Sequence, residues 1–349
     1  MPWISIRRKD EDLVHKGKVA YIFPGQGSQV VGMGKHLYTN YRSARNVFNE
    51  ADKTLGFSLS RLCFEGPEDE LTQTINVQPA VLVVSIACLR AAEEITGGSL
   101  PPPDVVAGHS LGEYTALVVA GVLSLSEAVR LVRERGRLMN EAAEASHGGM
   151  MAVLGLDGKT VTGICVEADT EVSNINCPGQ IVVSGDDEKM AEFKRLAETN
   201  GARRVIRLKV SGAFHSRLMQ PAAEGLHKVI SESRFSEPMV PVMANVTADR
   251  LIDAGAIKEE LAAQIVRCVR WQQSVESMIA DGVTRFVEIG HGQVLADLIK
   301  RINPEVTVLN IGDVDIERQV EKWCMEQRRE HIKELLEKAI ESEKSSHGR

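Results

Sequence analysis

The sequence predicts a large α/β protein with a smaller subdomain set into it, and three observations carry that expectation. First, the apolar run Val105-Val106-Ala107 passes through Gly108-His109-Ser110-Leu111-Gly112 straight into a helical pattern at Ala116, Leu117, Val119, Ala120 and Val122. That is a strand, a sharp turn and a helix. Second, short apolar runs at 18–23, 241–245, 286–289 and 306–311 are separated by helical patterns, the alternation expected of an α/β sheet. Third, between Met150 and Val210 the texture changes to short strands and helices in the order β-α-β-β-α-β, a ferredoxin-like arrangement.

The turn at Gly108–Gly112 is the chemical centre of the sequence. A strand-to-helix turn tight enough to expose a side chain brings the flanking backbone too close for Cβ atoms, which accounts for both glycines. It lifts the Ser110 hydroxyl clear of the sheet, with the N–H groups of the helix start beneath it. A Gly-x-Ser-x-Gly in a loop can arise by chance. The strand before it and the helix after it favour a nucleophile.

Bulk properties narrow the class. A chain of 349 residues, 43% apolar, has room for a large core and is expected to be globular. A formal charge of −7 argues against nucleic acid as the main partner. The six cysteines are scattered, without a C-x-x-C pair or a nearby histidine cluster. That pattern suits neither zinc nor a disulfide framework and points to a reducing, cytoplasmic setting. No run of about 18 apolar residues occurs, so no membrane span is expected. The apolar part of Met1–Gly17 is too short for a signal peptide, and Asp10, Glu11 and Asp12 argue against a transit peptide.

Along the chain, the strand at 18–23 runs into Pro24-Gly25-Gln26-Gly27-Ser28-Gln29. A phosphate loop is disfavoured: Val30 stands where a third glycine belongs, and no Gly-Lys-Ser/Thr follows. The loop remains able to present N–H groups to another anion. Residues 35–100 read as several helices, with Gln78-Pro79 opening a buried one over Ala80–Ala92, and Pro101-Pro102-Pro103 forms a stiff linker. Ser124 or Ser126 caps a helix whose apolar stripe runs through Ala128, Leu131, Val132, Leu138 and Met139. Arg135 falls inside that stripe, whereas Arg130, Arg133 and Arg137 point elsewhere and are read as solvated. An inward guanidinium keeps its proton and needs an anion or several carbonyls. A bound ligand and an internal carboxylate are equally open as its partner.

Ser146-His147-Gly148-Gly149 marks the boundary of the small segment. Its strands are expected at 151–154, 172–175, 181–184 and 204–210, with helices at 159–167 and 186–200. Beyond it, His215 lies in the turn Ser211-Gly212-Ala213-Phe214-His215-Ser216, before a helix that Ser216 could cap. The helix dipole would depress its pKa. A turn histidine is equally consistent with a polar surface residue, but its place after Ser110 fits the Ser-then-His order of nucleophile-elbow enzymes. A helix from about Ile257 carries Gln264, and a second spans Ser274–Asp281. A long charged helix is expected over Asp315–Lys344, with an apolar stripe at Ile332, Leu335, Leu336, Ala339 and Ile340 and a Glu334/Lys338 pair. It either lies on its own domain or meets a partner chain, self-association included.

Taken together, Phe23–Gln29, Gly108–Tyr114, Arg135-Gly136, Asn176–Gln180, Gly212–Ser216 and Gln264 give the chain, over about residues 18–311, a resemblance to the malonyl-CoA:acyl carrier protein transacylases. It is similar also to the acyltransferase domains of polyketide synthases. The resemblance implies a hydrolase-like large domain with a central, mostly parallel sheet, expected at 18–147 and 211–314. It implies an inserted ferredoxin-like subdomain at 148–210 and a charged extension at 315–349, with the catalytic cleft between the two subdomains.

By the same resemblance Ser110 is the nucleophile, His215 its base, and the backbone carbonyl of Gln264 replaces the usual triad acid. The N–H groups of Gln26 and Leu111 form the oxyanion hole, and Arg135 holds the malonyl carboxylate. Asn176 falls within a family motif and is expected at the substrate. The Ala213-Phe214-His215-Ser216 turn has the form that accompanies malonyl over methylmalonyl, with Phe214 filling the space of an α-methyl. The implied activity is ping-pong transfer of malonyl from malonyl-CoA to the phosphopantetheine thiol of an acyl carrier protein, for fatty-acid or polyketide synthesis. No metal or tightly bound cofactor is called for. The alternatives are a thioester hydrolase on the same fold, which would not need Arg135, and a non-catalytic binding protein. Two departures stand out: His291 replaces a customary proline, and Arg267-Cys268 replaces a customary Asn-Pro.

Overall fold

The structure is a computed structural model and describes residues 17–326 and 329. Among the described residues, ten strands are distributed over two sheets: β1 (Lys18–Phe23), β2 (Val105–Gly108), β3 (Gly148–Leu154), β4 (Glu171–Cys177), β5 (Gln180–Asp186), β6 (Arg204–Arg207), β7 (Val242–Met243), β8 (Arg250–Leu251), β9 (Val283–Ile289) and β10 (Thr307–Ile311). The helices before the serine turn are α1 (Lys35–Asn40), α2 (Arg42–Leu55), α3 (Leu59–Glu65), α4 (Glu68–Leu71) and α5 (Thr74–Ile95). After it come α6 (Leu111–Val119), α7 (Leu125–Ser146), α8 (Gly158–Ala168), α9 (Asp187–Thr199), α10 (Gln220–Glu232), α11 (Ala254–Gln264), α12 (Trp271–Ala280) and α13 (Val294–Ile302).

The larger sheet has the order β10-β9-β1-β2-β7-β8. Its pairs are parallel except β7–β8, so the sheet is mixed. β1 is central and apolar on both faces because helices cover both. Its period of two divides between two cores. Val19, Tyr21 and Phe23 join the core that includes α5 and α7, while Ala20 and Ile22 pack with Trp271, Phe286 and Leu295.

The smaller sheet has the order β4-β5-β3-β6, antiparallel throughout, in the chain order β-α-β-β-α-β. Met151, Val153, Ile181 and Val183 face α8 and α9. The alternate residues Met150 and Val182 belong to the larger core. The sheet is tied to the segment between α11 and α12, where Ile175 N–H donates to the Val269 carbonyl (2.9 Å) and Val269 N–H to the Ser173 carbonyl (2.8 Å).

Two expectations about the helices need correction, and they have one cause. The buried helix begins at Thr74, and Pro79 lies inside it. Proline offers no N–H to the carbonyl of Ile75, four residues back. Arg133 supplies the missing donor: its Nη1 reaches the Ile75 carbonyl at 2.9 Å and also bonds Asn76 Oδ1. Arg133 is therefore not simply solvated. Among the described residues, α5 is also the one helix long and apolar enough to cross a membrane, although polar residues break its apolar run; 89% of the qualifying stretch is buried within the protein.

α7 starts as expected, with Ser124 and Glu127 forming a reciprocal capping box. Strand 241–245 contracts to β7, and β8 was not anticipated, since two residues leave no periodicity to read. At the C-terminal end the chain is helical over 316–326, and Ile316, Val320 and Trp323 are buried in the larger core. The stripe from Ile332 to Ile340, the Glu334/Lys338 pair and residues 1–16 lie outside the described residues.

α7 crosses α5 with no room to spare at Gly136, where an added Cβ would stand 2.6 Å from the Thr74 carbonyl oxygen. Gly136→Ala is expected to destabilise the fold by about 1–3 kcal/mol, read as a lower urea midpoint with an unchanged slope. An unshifted midpoint would mean that the crossing relaxes freely.

Candidate active site

The serine turn is held from three sides. A Cβ on Gly108 would come within 1.9 Å of the Gly112 carbonyl carbon, and one on Gly112 within 2.1 Å of the Phe23 carbonyl oxygen. Only glycine permits α6 to lie this close to the end of β1. Ser110 sits at φ 51°, ψ −105°, a backbone conformation that costs a side-chain-bearing residue of order 1–3 kcal/mol and persists only when its surroundings enforce it. Asn245 does part of this. Its Oδ1 accepts from the Ser110 N–H and its Nδ2 donates to the Gly108 carbonyl, both at 2.7 Å. The N–H groups of Gly112 and Glu113 turn back to the carbonyls of His109 and Ser110. Leu111 opens α6, so its N–H is one of the helix's orphan donors.

Ser110 Oγ lies 2.8 Å from His215 Nε2, and His215 Nδ1 lies 2.8 Å from the backbone carbonyl oxygen of Gln264. A carbonyl only accepts, so Nδ1 carries the proton and Nε2 is left bare to accept from the serine hydroxyl. His215 is held at φ 58° by its turn. Burial, and next the positive charge of Arg135, push its pKa down to about 3. The direction matches the sequence expectation, but its cause differs. The expected helix does follow, since the turn Arg217–Met219 leads directly into α10, but Ser216 does not cap it with its side chain, and burial and Arg135 are what depress the imidazole.

Arg135 is 1% exposed. Its Nη1 donates to Gln78 Oε1 (2.8 Å), and its Nη2 donates to Gln264 Oε1 (2.9 Å) and to Ser110 Oγ (3.1 Å). The guanidinium also stands over the Tyr114 ring, 5.4 Å from its centroid. These acceptors are all neutral, which resolves the question the sequence left open: the guanidinium is not neutralised by a carboxylate bonded to it. It places a full positive charge beside the serine oxygen.

A cleft of about 230 Å³ opens above these groups. Gln26, His109, Ser110, Leu111, Arg135, Asn176, Phe214 and His215 all line it. Its walls come from the smaller sheet and from loops and helices of the larger subdomain, and are largely apolar, with Met139, Met150, Val182, Leu208, Val210 and Leu298. The residues given a site role from the sequence thus line this cleft, except Gln264, which is fully buried and bonds Arg135 and the Ser110 carbonyl. Asn176 Oδ1 is 2.9 Å from His109 Nε2, so its oxygen is engaged by the elbow. Gln26, on the loop after β1, and Leu111, at the start of α6, line the cleft together with Ser110.

Sequence reasoning missed Asn245, Gln78 and the side chain of Gln264. The Gln264 amide donates from Nε2 to the Ser110 carbonyl (3.0 Å) and to the Glu113 carboxyl group, while its Oε1 accepts from Arg135. Each of these residues reaches the site across more than 50 positions of chain, beyond any local pattern.

Comparison with known proteins gives the family of the chain. The acyl transferase domain model matches residues 20–335. The malonyl CoA-acyl carrier protein transacylase of Bacillus subtilis (strain 168) is 47% identical over 301 residues, covering 85% of this chain and 94% of the relative. The crystal structure of an acyl carrier protein S-malonyltransferase from Vibrio cholerae O1 biovar eltor superposes with a TM-score of 0.83 at 39% identity, covering 87% of this chain and 99% of that one. A malonyl-transacylase solved in complex with its type II PKS acyl-carrier protein gives a TM-score of 0.83 at 37% identity, covering 87% and 98%. The chain belongs to the acyl transferase family, among the malonyl CoA-acyl carrier protein transacylases.

Proposed function

We propose that the protein transfers a malonyl group from malonyl-CoA to the phosphopantetheine thiol of an acyl carrier protein through a malonyl-serine ester, supplying extender units for fatty-acid or polyketide synthesis. The observation that carries this reading is the buried Arg135 guanidinium, bonded to neutral acceptors and touching the nucleophile's oxygen. Such a charge suits an acyl group that ends in a free carboxylate.

His215 Nε2 takes the Ser110 proton as Oγ attacks the thioester carbonyl. The carbonyl oxygen becomes an oxyanion that the N–H groups of Gln26 and Leu111 receive. The C–S bond breaks, CoA takes the proton from His215, and the malonyl ester remains on Ser110. The carrier thiol enters the same cleft, gives its proton to His215, attacks the ester, and Ser110 leaves with that proton. The route draws on no metal and no cofactor beyond the CoA thioester itself. Apolar walls at Met150, Val182, Leu208 and Phe214 limit water around the ester, which favours thiol over water.

A guanidinium–carboxylate pair in such a pocket contributes roughly 1.5–3 kcal/mol, a tenfold to hundredfold preference over a neutral acyl group. It also acts on the base. The malonyl carboxylate offsets the Arg135 charge that helps depress His215 and so raises its basicity once substrate is bound. Phe214, 5% exposed and on the cleft wall, is read as the residue that excludes an α-methyl branch.

The fold reading is a hydrolase-like domain interrupted by a ferredoxin-like subdomain, supported by the elbow after β2 and by the β4-β5-β3-β6 order. A cytoplasmic setting and contact with other chains through the C-terminal helix remain part of this proposal.

Brief exposure to malonyl-CoA should add one malonyl to the intact protein, mapped to Ser110 and absent in Ser110→Ala. Addition elsewhere, or free malonate released as fast as malonyl-carrier forms, would sink the reading. Arg135→Ala should lower malonyl kcat/KM by about tenfold to a hundredfold while sparing acetyl transfer. An equal loss for both acyl groups would make Arg135 structural. Because His215 is depressed, it stays neutral as pH falls through the ordinary histidine range, and kcat/KM should hold level from pH 7 to about 5. Arg135→Ala should move the acid limb to higher pH. A wild-type limb centred near the unperturbed value of about 6.5 contradicts the assignment.

A further inference from the structure

The proposed transfer leaves one buried carboxyl group at the site without a task. Glu113, on the first turn of α6, is 1% exposed. One of its oxygens accepts from Gln264 Nε2. The other has no hydrogen-bond partner among the described residues. Glu113 bonds the Gln264 side chain, which itself reaches both the Ser110 carbonyl and the Arg135 guanidinium.

A primary amide has an accepting end and a donating end that point opposite ways. Glu113 and the Ser110 carbonyl both take the donating end of Gln264. The accepting end must then face Arg135 Nη2, which lies 2.9 Å away and is itself 3.1 Å from Ser110 Oγ. Were the Glu113 acceptor lost, Gln264 could turn its NH₂ toward Arg135 and set donor against donor. The guanidinium would lose one of the bonds that fix it.

We propose that Glu113 is a positioning residue for the acyl carboxylate: it orients the Gln264 amide, and the amide holds Arg135 where that carboxylate is received. This rests on the malonyl-transfer reading and adds a specificity role to it. Burial, and next the neighbouring carboxylate Glu260, raise the Glu113 pKa well above the usual carboxylate range. Raised in this way, the Glu113 carboxyl gives up its proton less readily and competes less with substrate for the charge of Arg135, while its oxygen still accepts from Gln264.

The test compares Glu113→Gln, which keeps an acceptor oxygen, with Glu113→Met, which keeps the volume without it. Gln264→Met and the Glu113→Met/Gln264→Met pair complete a double-mutant cycle. Gln264→Met retains the backbone carbonyl used by His215. Malonyl and acetyl transfer to carrier protein are measured separately, with thermal melting as a control. Wild-type protein that fails to transfer malonyl would sink the functional reading before any variant is compared.

Given wild-type transfer, Glu113→Met should raise the malonyl-CoA KM and lower malonyl kcat/KM by about tenfold or more, with acetyl kcat/KM within about threefold. Glu113→Gln should recover most of the loss. Gln264→Met should reproduce the malonyl defect, and the double variant should be no worse than either single. An unchanged malonyl KM, equal losses for both acyl groups, or additive losses in the double variant overturns the proposal. Should Glu113→Met lack a cooperative melt, the cycle is run with Glu113→Gln. Its residual malonyl loss should then vanish in the Gln264→Met background, and persistence there overturns the proposal.

Discussion

The close approach of α6 to the end of β1 is the contact on which the rest of the site depends. It is set by the 2.1 Å that a Cβ on Gly112 would leave to the Phe23 carbonyl oxygen. Because α6 lies so near, Ser110 is forced into a left-handed backbone, its hydroxyl is pushed outward, and the Leu111 N–H is brought beside the loop that carries Gln26. The strain in this turn is borne by packing on both sheet faces and by Asn245, whose amide bonds on either side of the serine. The outward presentation of the Ser110 hydroxyl and the place of the Leu111 N–H at the start of α6 are thus products of one steric constraint.

The second constraint is electrostatic. A guanidinium in the interior is retained only where its hydrogen bonds are met. Here two glutamine amides, a hydroxyl and an aromatic face meet most of them without neutralising its charge. The Arg135 Nε has no partner among the described residues. The pocket is therefore built with an unbalanced charge, and that imbalance acts on a histidine, a serine and an incoming acyl group at once.

How much of this could be read from the chain follows from the range of each interaction. The elbow was legible because strand, glycines and helix are contiguous. Arg135 was legible because a charge in the middle of an apolar stripe is a local anomaly, three and four residues from its apolar neighbours. β1 was legible as a strand from its apolar run, but its division between two cores became visible only in the fold. The start of α5 was misread because Pro79 is an ordinary helix breaker until a guanidinium 54 residues on replaces the donor it lacks. His215 was ambiguous on local grounds and gained its role only from family resemblance. Asn245 and the Gln264 side chain carry no local signal, since an amide beside a strand or at a helix end is unremarkable until the fold brings it to the elbow.

The anchor of the base has a consequence of its own. His215 is oriented by the main-chain carbonyl of residue 264, an atom every amino acid possesses. Such an anchor has no ionisation of its own, and no codon change can delete it. A substitution scan at this position therefore reports only on the amide beyond Cβ. The carbonyl's own share would emerge only from altering the backbone, for instance an ester in place of the 264–265 peptide bond, which weakens that oxygen as an acceptor. Families that rely on main-chain groups in this way keep a catalytic contact that is silent in sequence and robust to mutation, and it is visible only once the chain is folded.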